Sequence, residues 1–233
     1  LLFSLIFLSI GSFISSVIYR LSPNTSKDIN IFFPRSFCPN CKKQISLIYL
    51  IPILGFILQK GKCISCNNSI SFYYPLTELI FLFIGLYLLF LYGINIVFFF
   101  LFSIFSLLYI LFLLDLKFFL LPFSINIFLI LLGFLSNYLL EIFIISDLYP
   151  SNMSSLVFSS LGFVIGYSSL WIINFIFKVI NKKDGIGGGD FILYGALGSV
   201  FGPISLPIIL FLGSMFGCLL YLSFKERFKK EIP

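Results

Sequence analysis

The sequence predicts an all-α polytopic membrane protein with about seven transmembrane segments, N-out/C-in, and a small cytoplasmic four-cysteine zinc-binding loop domain. Three observations predict it. Of the 233 residues, 60% are hydrophobic and only 10% are charged, against about 25% charged in an ordinary soluble domain. The apolar residues gather into long runs, which marks membrane spans instead of one large soluble core. The lysines and arginines fall between those runs on one side only.

The runs are residues 1–19, 76–93, 95–114, 122–140, 156–177, 190–202 and 204–222. The first is long enough for a signal peptide, but it lacks a basic start and a small-residue cleavage site, so it reads as a helix. The sixth is short for a span of about 20 residues, and Gly202-Pro203 separates it from the seventh. With the N-terminus outside, the cytoplasmic parts are 20–75, 115–121, 178–189 and 223–233. All fifteen basic residues lie there, from Arg20 and Lys27 to Lys229 and Lys230, while the outer loops hold Glu141 and Asp147 and no basic residue. The positive-inside rule therefore supports this orientation in an inner or plasma membrane. The net charge of +6 reports topology, and no nucleic-acid partner is needed to explain it. The organisation that follows is a first helix (1–19), a cytoplasmic cysteine domain (20–75), a membrane-embedded region (76–223) and a basic tail (224–233).

Histidine is absent. This excludes Ser-His and Cys-His nucleophilic triads, histidine-ligated zinc hydrolases and histidine proton shuttles. Hydrolysis would have to rest on carboxylates, lysine or an unassisted thiol.

The 20–75 loop contains Cys38-Pro39-Asn40-Cys41 and Cys63-Ile64-Ser65-Cys66. Each C-x-x-C knuckle aims two thiolates at one tetrahedral centre, and two knuckles close the shell. A segment this small needs such a staple. Lys42, Lys43 and Lys62 offset the charge of four thiolates around one zinc ion. A reducing cytoplasm argues against disulfides; iron is the other metal such knuckles serve. With four protein ligands no coordination position stays open, so the role is structural. Cys218, alone in the last run, reads as a buried, inert thiol.

Most acidic residues lie in solvated segments, and Asp184 sits beside Lys182 and Lys183. Asp115 and Asp190 differ. Asp115 ends an apolar run, and Asp190 follows Gly185-Ile186-Gly187-Gly188-Gly189 and opens the sixth run. Ionisable residues in or beside a span usually face a cavity or a partner. Both fall on the cytoplasmic side, on different helices, where they could meet. Two carboxylates sharing a site hold one proton between them. One then activates water while the other polarises a peptide carbonyl. Gly187, Gly188 and Gly189 would let an extended substrate backbone approach. The stretch is no dinucleotide fingerprint, because Asp190 stands where a third glycine is required.

These residues together resemble the prepilin leader peptidases. Gly11-Ser12-Phe13 through Tyr19-Arg20-Leu21, the paired knuckles with Pro52 and Gly61-Lys62, and Tyr74-Pro75-Leu76 with Glu78 match that family's pattern in order. So do Asp115 with Leu121-Pro122, and Gly185 to Phe191, which contains the G-x-G-D form. The chain carries Ile192 where the family usually has lysine, Phe123 in place of a polar residue, Ser15 for asparagine and Ser22 for proline. The resemblance implies that Asp115 and Asp190 are the catalytic pair. It implies cleavage of a basic leader from type IV prepilin or pseudopilin precursors, typically between Gly and Phe. Members with the cysteine domain are often bifunctional, so it also allows S-adenosylmethionine-dependent methylation of the new N-terminus.

Two other classes compete. One is a catalytically impaired scaffold or assembly factor of a pilus or secretion system, with a partner-binding zinc loop. The other is a transporter using aspartates as a proton relay; it predicts mid-membrane charges or an inverted repeat, and neither is evident.

Overall fold

The computed structural model describes residues 2–23, 25, 29–144, 149 and 153–223. The basic tail 224–233 and the charged positions Lys27, Asp28 and Asp147 lie outside the described residues. The described chain is nearly all helical, with only two isolated β-bridges. It divides into two compact units, Leu1–Leu120 and Leu121–Pro233.

The first unit contains α1 (Leu2–Arg20), the short α2 (Leu54–Leu58), α3 (Tyr73–Tyr92) and α4 (Ile96–Phe118). The apolar length of α1, α3 and α4 makes them helices in lipid, where every backbone polar group must be satisfied within the segment. Close backbone approach joins α1 to α3. A Cβ on Gly11 would lie 2.8 Å from the Glu78 Cα, so only glycine allows this contact. The core beside it is aromatic. Fully buried Phe81 meets Phe102, Phe105 and Tyr109 with ring centroids 5.9, 5.2 and 5.3 Å away. Asn95 caps α4 by accepting the Phe98 N–H at 3.1 Å, which satisfies a donor the helix cannot use.

The second unit contains α5 (Phe123–Leu140), α6 (Ser155–Asn181), α7 (Gly188–Phe201) and α8 (Leu206–Ser223). Gly162 and Gly166 form a bare stripe on α6, and a Cβ on either would strike the carbonyl of Gly198 or Tyr194 on α7. Small residues four apart are what lets helices meet without a hydrophobic driving force. Asn137 then ties three helices. Its Nδ2 donates to Ser159 Oγ at 3.1 Å and to the Ser199 and Val200 carbonyls at 3.1 and 3.0 Å.

All seven apolar runs become helices. Five of them, α1 and α3 to α6, are long and apolar enough to cross a membrane. The sixth run forms α7, whose 14 residues span about 21 Å, short of a hydrocarbon core of about 30 Å. The described apolar part of α8, Leu206–Leu219, is also short. Cys218 departs from expectation, being exposed on α8; among the named helices α8 packs on α7, which leaves most of its surface bare.

Candidate metal centre and active-site aspartates

The cysteines form one cluster from two copies of the same turn. In the first knuckle the Cys38 N–H donates to the Lys43 carbonyl at 2.9 Å, and the Lys42 N–H returns to the Cys38 carbonyl at 2.9 Å. In the second, the Cys63 N–H donates to Asn68 at 2.9 Å and the Asn67 N–H returns to Cys63 at 2.8 Å. Lys42 and Asn67 both adopt left-handed backbone, at φ 57° and 55°. Antiparallel bridges Phe37–Gln44 and Lys62–Ser69 close the two turns.

The four Sγ atoms lie within 4.8 Å of one another, with Cys38–Cys66 at 3.9 Å and Cys41–Cys63 at 4.0 Å. A tetrahedral zinc with Zn–S of about 2.3 Å requires sulfurs about 3.8 Å apart. The donor set and spacing therefore fit a closed tetrahedral metal. The thiols are not disulfide-bonded. The backbone N–H groups of Cys66 and Ser65 hold the Cys63 thiol down to about 7. At Cys41 the Lys43 N–H favours the thiolate, yet burial and the neighbouring sulfurs push it up to about 11. Crowded thiols resist shedding every proton until a cation joins them.

Asp115 lies in the last turn of α4, where the Phe119 N–H caps its carbonyl at 2.9 Å. Phe119 stops the helix in left-handed conformation at φ 51°. Two residues beyond Asp115, the Lys117 ammonium stands 3.2 Å over the ring of Tyr73, a cation–π contact that turns this charge toward α3.

In the second unit, Asp190 is the third residue of α7, and its Oδ2 accepts the N–H of the cap residue Gly187 at 3.1 Å. This hydrogen bond back to the cap residue holds the carboxylate at the helix start. The approach loop is held from α6. Asn174 Oδ1 accepts the N–H groups of Gly185 and Ile186 at 2.8 and 3.0 Å, and its Nδ2 donates to Asp184 at 3.2 Å. Asp184 is the solvated charge expected of it. It pairs with Lys178 at 3.0 Å, and that ammonium holds its carboxyl below the usual range. The three glycines differ in their surroundings. A Cβ on Gly188 would meet open space, whereas one on Gly189 would press to 2.9 Å from the Leu121 Cβ.

Two family models cover the chain. The bacterial peptidase A24 N-terminal domain matches residues 5–92, and the type IV leader peptidase family matches residues 102–222. The chain belongs to the type IV leader peptidase family. Among curated relatives, a prepilin leader peptidase/N-methyltransferase of Klebsiella pneumoniae is 36% identical over 89% of this chain and 87% of its own length. Proteins of the same name from Neisseria gonorrhoeae and Dichelobacter nodosus are each 32% identical. They match 90% and 97% of this chain, and 77% and 83% of their own lengths. No solved structure gives a significant match. In this leader-peptidase chain, the N-terminal model takes in all four clustered cysteines and Glu78, and the peptidase model takes in both Asp115 and Asp190.

Sequence reasoning passed over Asn174 and Asn137. The available signal was an amide inside an apolar run, which has to find a partner in lipid.

Proposed function

We infer that this leader-peptidase family member is a membrane aspartic endopeptidase. It removes the basic leader from type IV prepilin-like or pseudopilin precursors at the cytoplasmic face of the inner membrane, and then methylates the new N-terminus. The peptidase-family match spanning Asp115 and Asp190 carries this reading. The enzymatic names of the relatives disfavour the scaffold alternative.

Asp115 and Asp190 act as a dyad sharing one proton. The ionised member takes a proton from water, whose oxygen attacks the scissile carbonyl. The protonated member donates to the carbonyl oxygen, and collapse of the tetrahedral intermediate returns a proton to the leaving amine. With no histidine in the chain, carboxylates are the groups suited to this work. The open space at Gly188 suits an extended substrate backbone. The cysteine cluster holds zinc, which supplies folding energy and no open coordination position. Methylation draws on S-adenosylmethionine.

The test is mass spectrometry of a prepilin-type substrate, with a Gly-Phe junction after a basic leader, incubated with membranes carrying wild-type or Asp190→Asn protein. Cleavage by wild type and its loss in the variant, at equal protein level, is the expected result. Equal cleavage by both removes Asp190 from the dyad.

A further inference from the structure

Between the two knuckles the chain carries no charge from 44 to 59. Its apolar part, 47–58, is too short to span a membrane and too exposed to be a core, which leaves a re-entrant or interfacial segment. It folds as a hairpin, with a 3₁₀ turn, Leu47–Leu50, doubling back through Pro52 into α2. Gly55 lets the two limbs close, because a Cβ there would clash with the Tyr49 carbonyl. Leu47, Ile48, Ile57 and Leu58 then face outward, each more than half exposed. Single apolar side chains on a surface need no explanation, but a group of them on adjacent limbs marks a binding face.

Two contacts set the depth of this region. At the hairpin's tip the Ile53 N–H donates to the Glu78 carboxylate at 2.6 Å. Glu78 is buried about 8 Å along α3 from its first residue, Tyr73. Ile53 makes this contact from φ 62°, ψ −52°, a conformation that β-branched residues avoid and that persists only where surrounding structure enforces it. The second contact comes from the turn before the first knuckle. Arg20, at the end of α1, donates to the Asn30 and Pro34 carbonyls, and between them Phe32 stacks on Phe13 with ring centroids 6.4 Å apart. Phe13 lies about 10 Å back along α1 from Arg20. Both segments therefore descend past the ends of helices that are long and apolar enough to cross a membrane. Backbone donors at both tips are occupied, as lipid demands. Asn30 Oδ1 accepts the N–H groups of Phe32 and Phe33 at 3.1 and 2.7 Å. The Pro52 and Ile51 carbonyls accept those of Leu54 and Gly55 at 2.6 and 2.7 Å.

We propose that 47–58, together with Phe32 and Phe33, is a membrane-docking face that dips into the leaflet nearest Arg20, with the flanking lysines bound to anionic lipid headgroups. The metal knuckles are thereby held against the bilayer surface instead of standing free of it. The charge around the face is of one sign. Lys42, Lys43, Lys60 and Lys62 are exposed on its flanks, and no acidic residue occurs from 29 to 77. Apolar side chains at the headgroup–acyl boundary sit about 5–10 Å deep, while lysine stems reach back to the headgroups, where anionic lipid attracts them. The same lysines repel a basic leader and a second copy of this face, so anionic lipid is the occupant that fits.

The experiment uses the full-length protein in lipid vesicles. Trp171 is the only tryptophan, so in a Trp171→Phe background Ile57→Trp and Leu47→Trp each report on the face, while Gln44→Trp reports on the exposed edge of the first knuckle. The vesicles mix phosphatidylcholine and phosphatidylglycerol, with bromine high in the acyl chains of one lipid or the other, and acrylamide is the aqueous quencher. Lipid bromine is expected to lower the Ile57→Trp and Leu47→Trp signals about twofold, with little effect of acrylamide. Gln44→Trp is expected to show the reverse. Brominated phosphatidylglycerol is expected to quench the face more than brominated phosphatidylcholine at equal mole fraction, and combining Lys42→Gln, Lys43→Gln, Lys60→Gln and Lys62→Gln to erase that preference. Acrylamide quenching of both face reporters at the level of Gln44→Trp overturns the proposal. Shielding from both quenchers also overturns it and gives the face to protein: to a second copy if it fades as the protein is diluted in lipid, to the substrate if it arises only when a prepilin-type peptide is added. Equal quenching by the two brominated lipids overturns the role of the lysines. Helical circular dichroism matching wild type marks a folded reporter, and with two positions the loss of one leaves the other to decide.

Discussion

Asn174 shows how one amide positions a loop that carries candidate chemistry. It is buried near the end of α6, and its side chain holds both Gly185 and Ile186 by their N–H groups. Without it, these donors turn to water and the start of α7 loses its tether. Asn174→Leu is expected to leave the protein in the membrane but slow prepilin cleavage by about tenfold to a hundredfold, the scale of a misplacement of about 1 Å. Asn174→Asp keeps the acceptor and places a second carboxylate where Nδ2 now meets Asp184 at 3.2 Å, so an intermediate loss is expected. Rates on one substrate at matched protein level check both. The neighbouring glycines make a sharper pair. Gly188→Ala adds a methyl to open space, while Gly189→Ala drives one to 2.9 Å from the Leu121 Cβ. The first is expected to keep wild-type stability and lose cleavage, because the methyl enters the substrate's path. The second is expected to lose stability by about 1–3 kcal/mol. Denaturation in detergent beside the cleavage assay separates the two effects.

At the scale of elements, the two knuckles and the α6–α7 contact are held by opposite means. The knuckles are small turns with little core, so their ligands must supply the folding energy. Cys38→Ser is expected to lose the metal and expose the 29–72 segment to protease, whereas Cys218→Ser, on the bare face of α8, keeps full metal content. Metal analysis of purified protein with limited proteolysis reads both outcomes. The contact of α6 with α7 depends on absent side chains, since Gly162 faces the Gly198 carbonyl. What the sequence displays differs accordingly. The knuckles are legible because their ligands recur at fixed local spacing. The glycine stripe is not, because glycines in an apolar run look like weak helix positions until the partner helix is known. Glu78 is legible as part of a familiar stretch. Its bond to Ile53 is not, for nothing in a run of Leu, Ile and Pro announces a positive φ. The short helix α2 escapes notice for the same reason, its five residues being too few to show a period.

Over the whole molecule, apolar length marks every helix that could cross the membrane, but it carries no direction; the charges do. All fifteen basic residues occupy segments on one side of the proposed topology, and the excess of lysine and arginine in cytoplasmic loops disfavours the reverse threading. The argument extends to the site, because the turn after Asp115 and the loop before Asp190 are both basic segments. If the N-terminus is outside, the aspartates work at the cytoplasmic face and the α5–α6 connection is outside. In a Cys218→Ser background, Glu141→Cys is expected to react with a membrane-impermeant thiol reagent in intact cells. Lys183→Cys, three positions from the Asn174-held Ile186, is expected to react only after permeabilisation. The zinc-held cysteines stay unlabelled in both, since thiolates committed to a closed metal shell are shielded from reagent. Labelling of Lys183→Cys in intact cells would invert the topology, and with it the side on which a leader could be cut. Labelling of both positions only after permeabilisation would instead mean that one helix between them, α6, fails to cross.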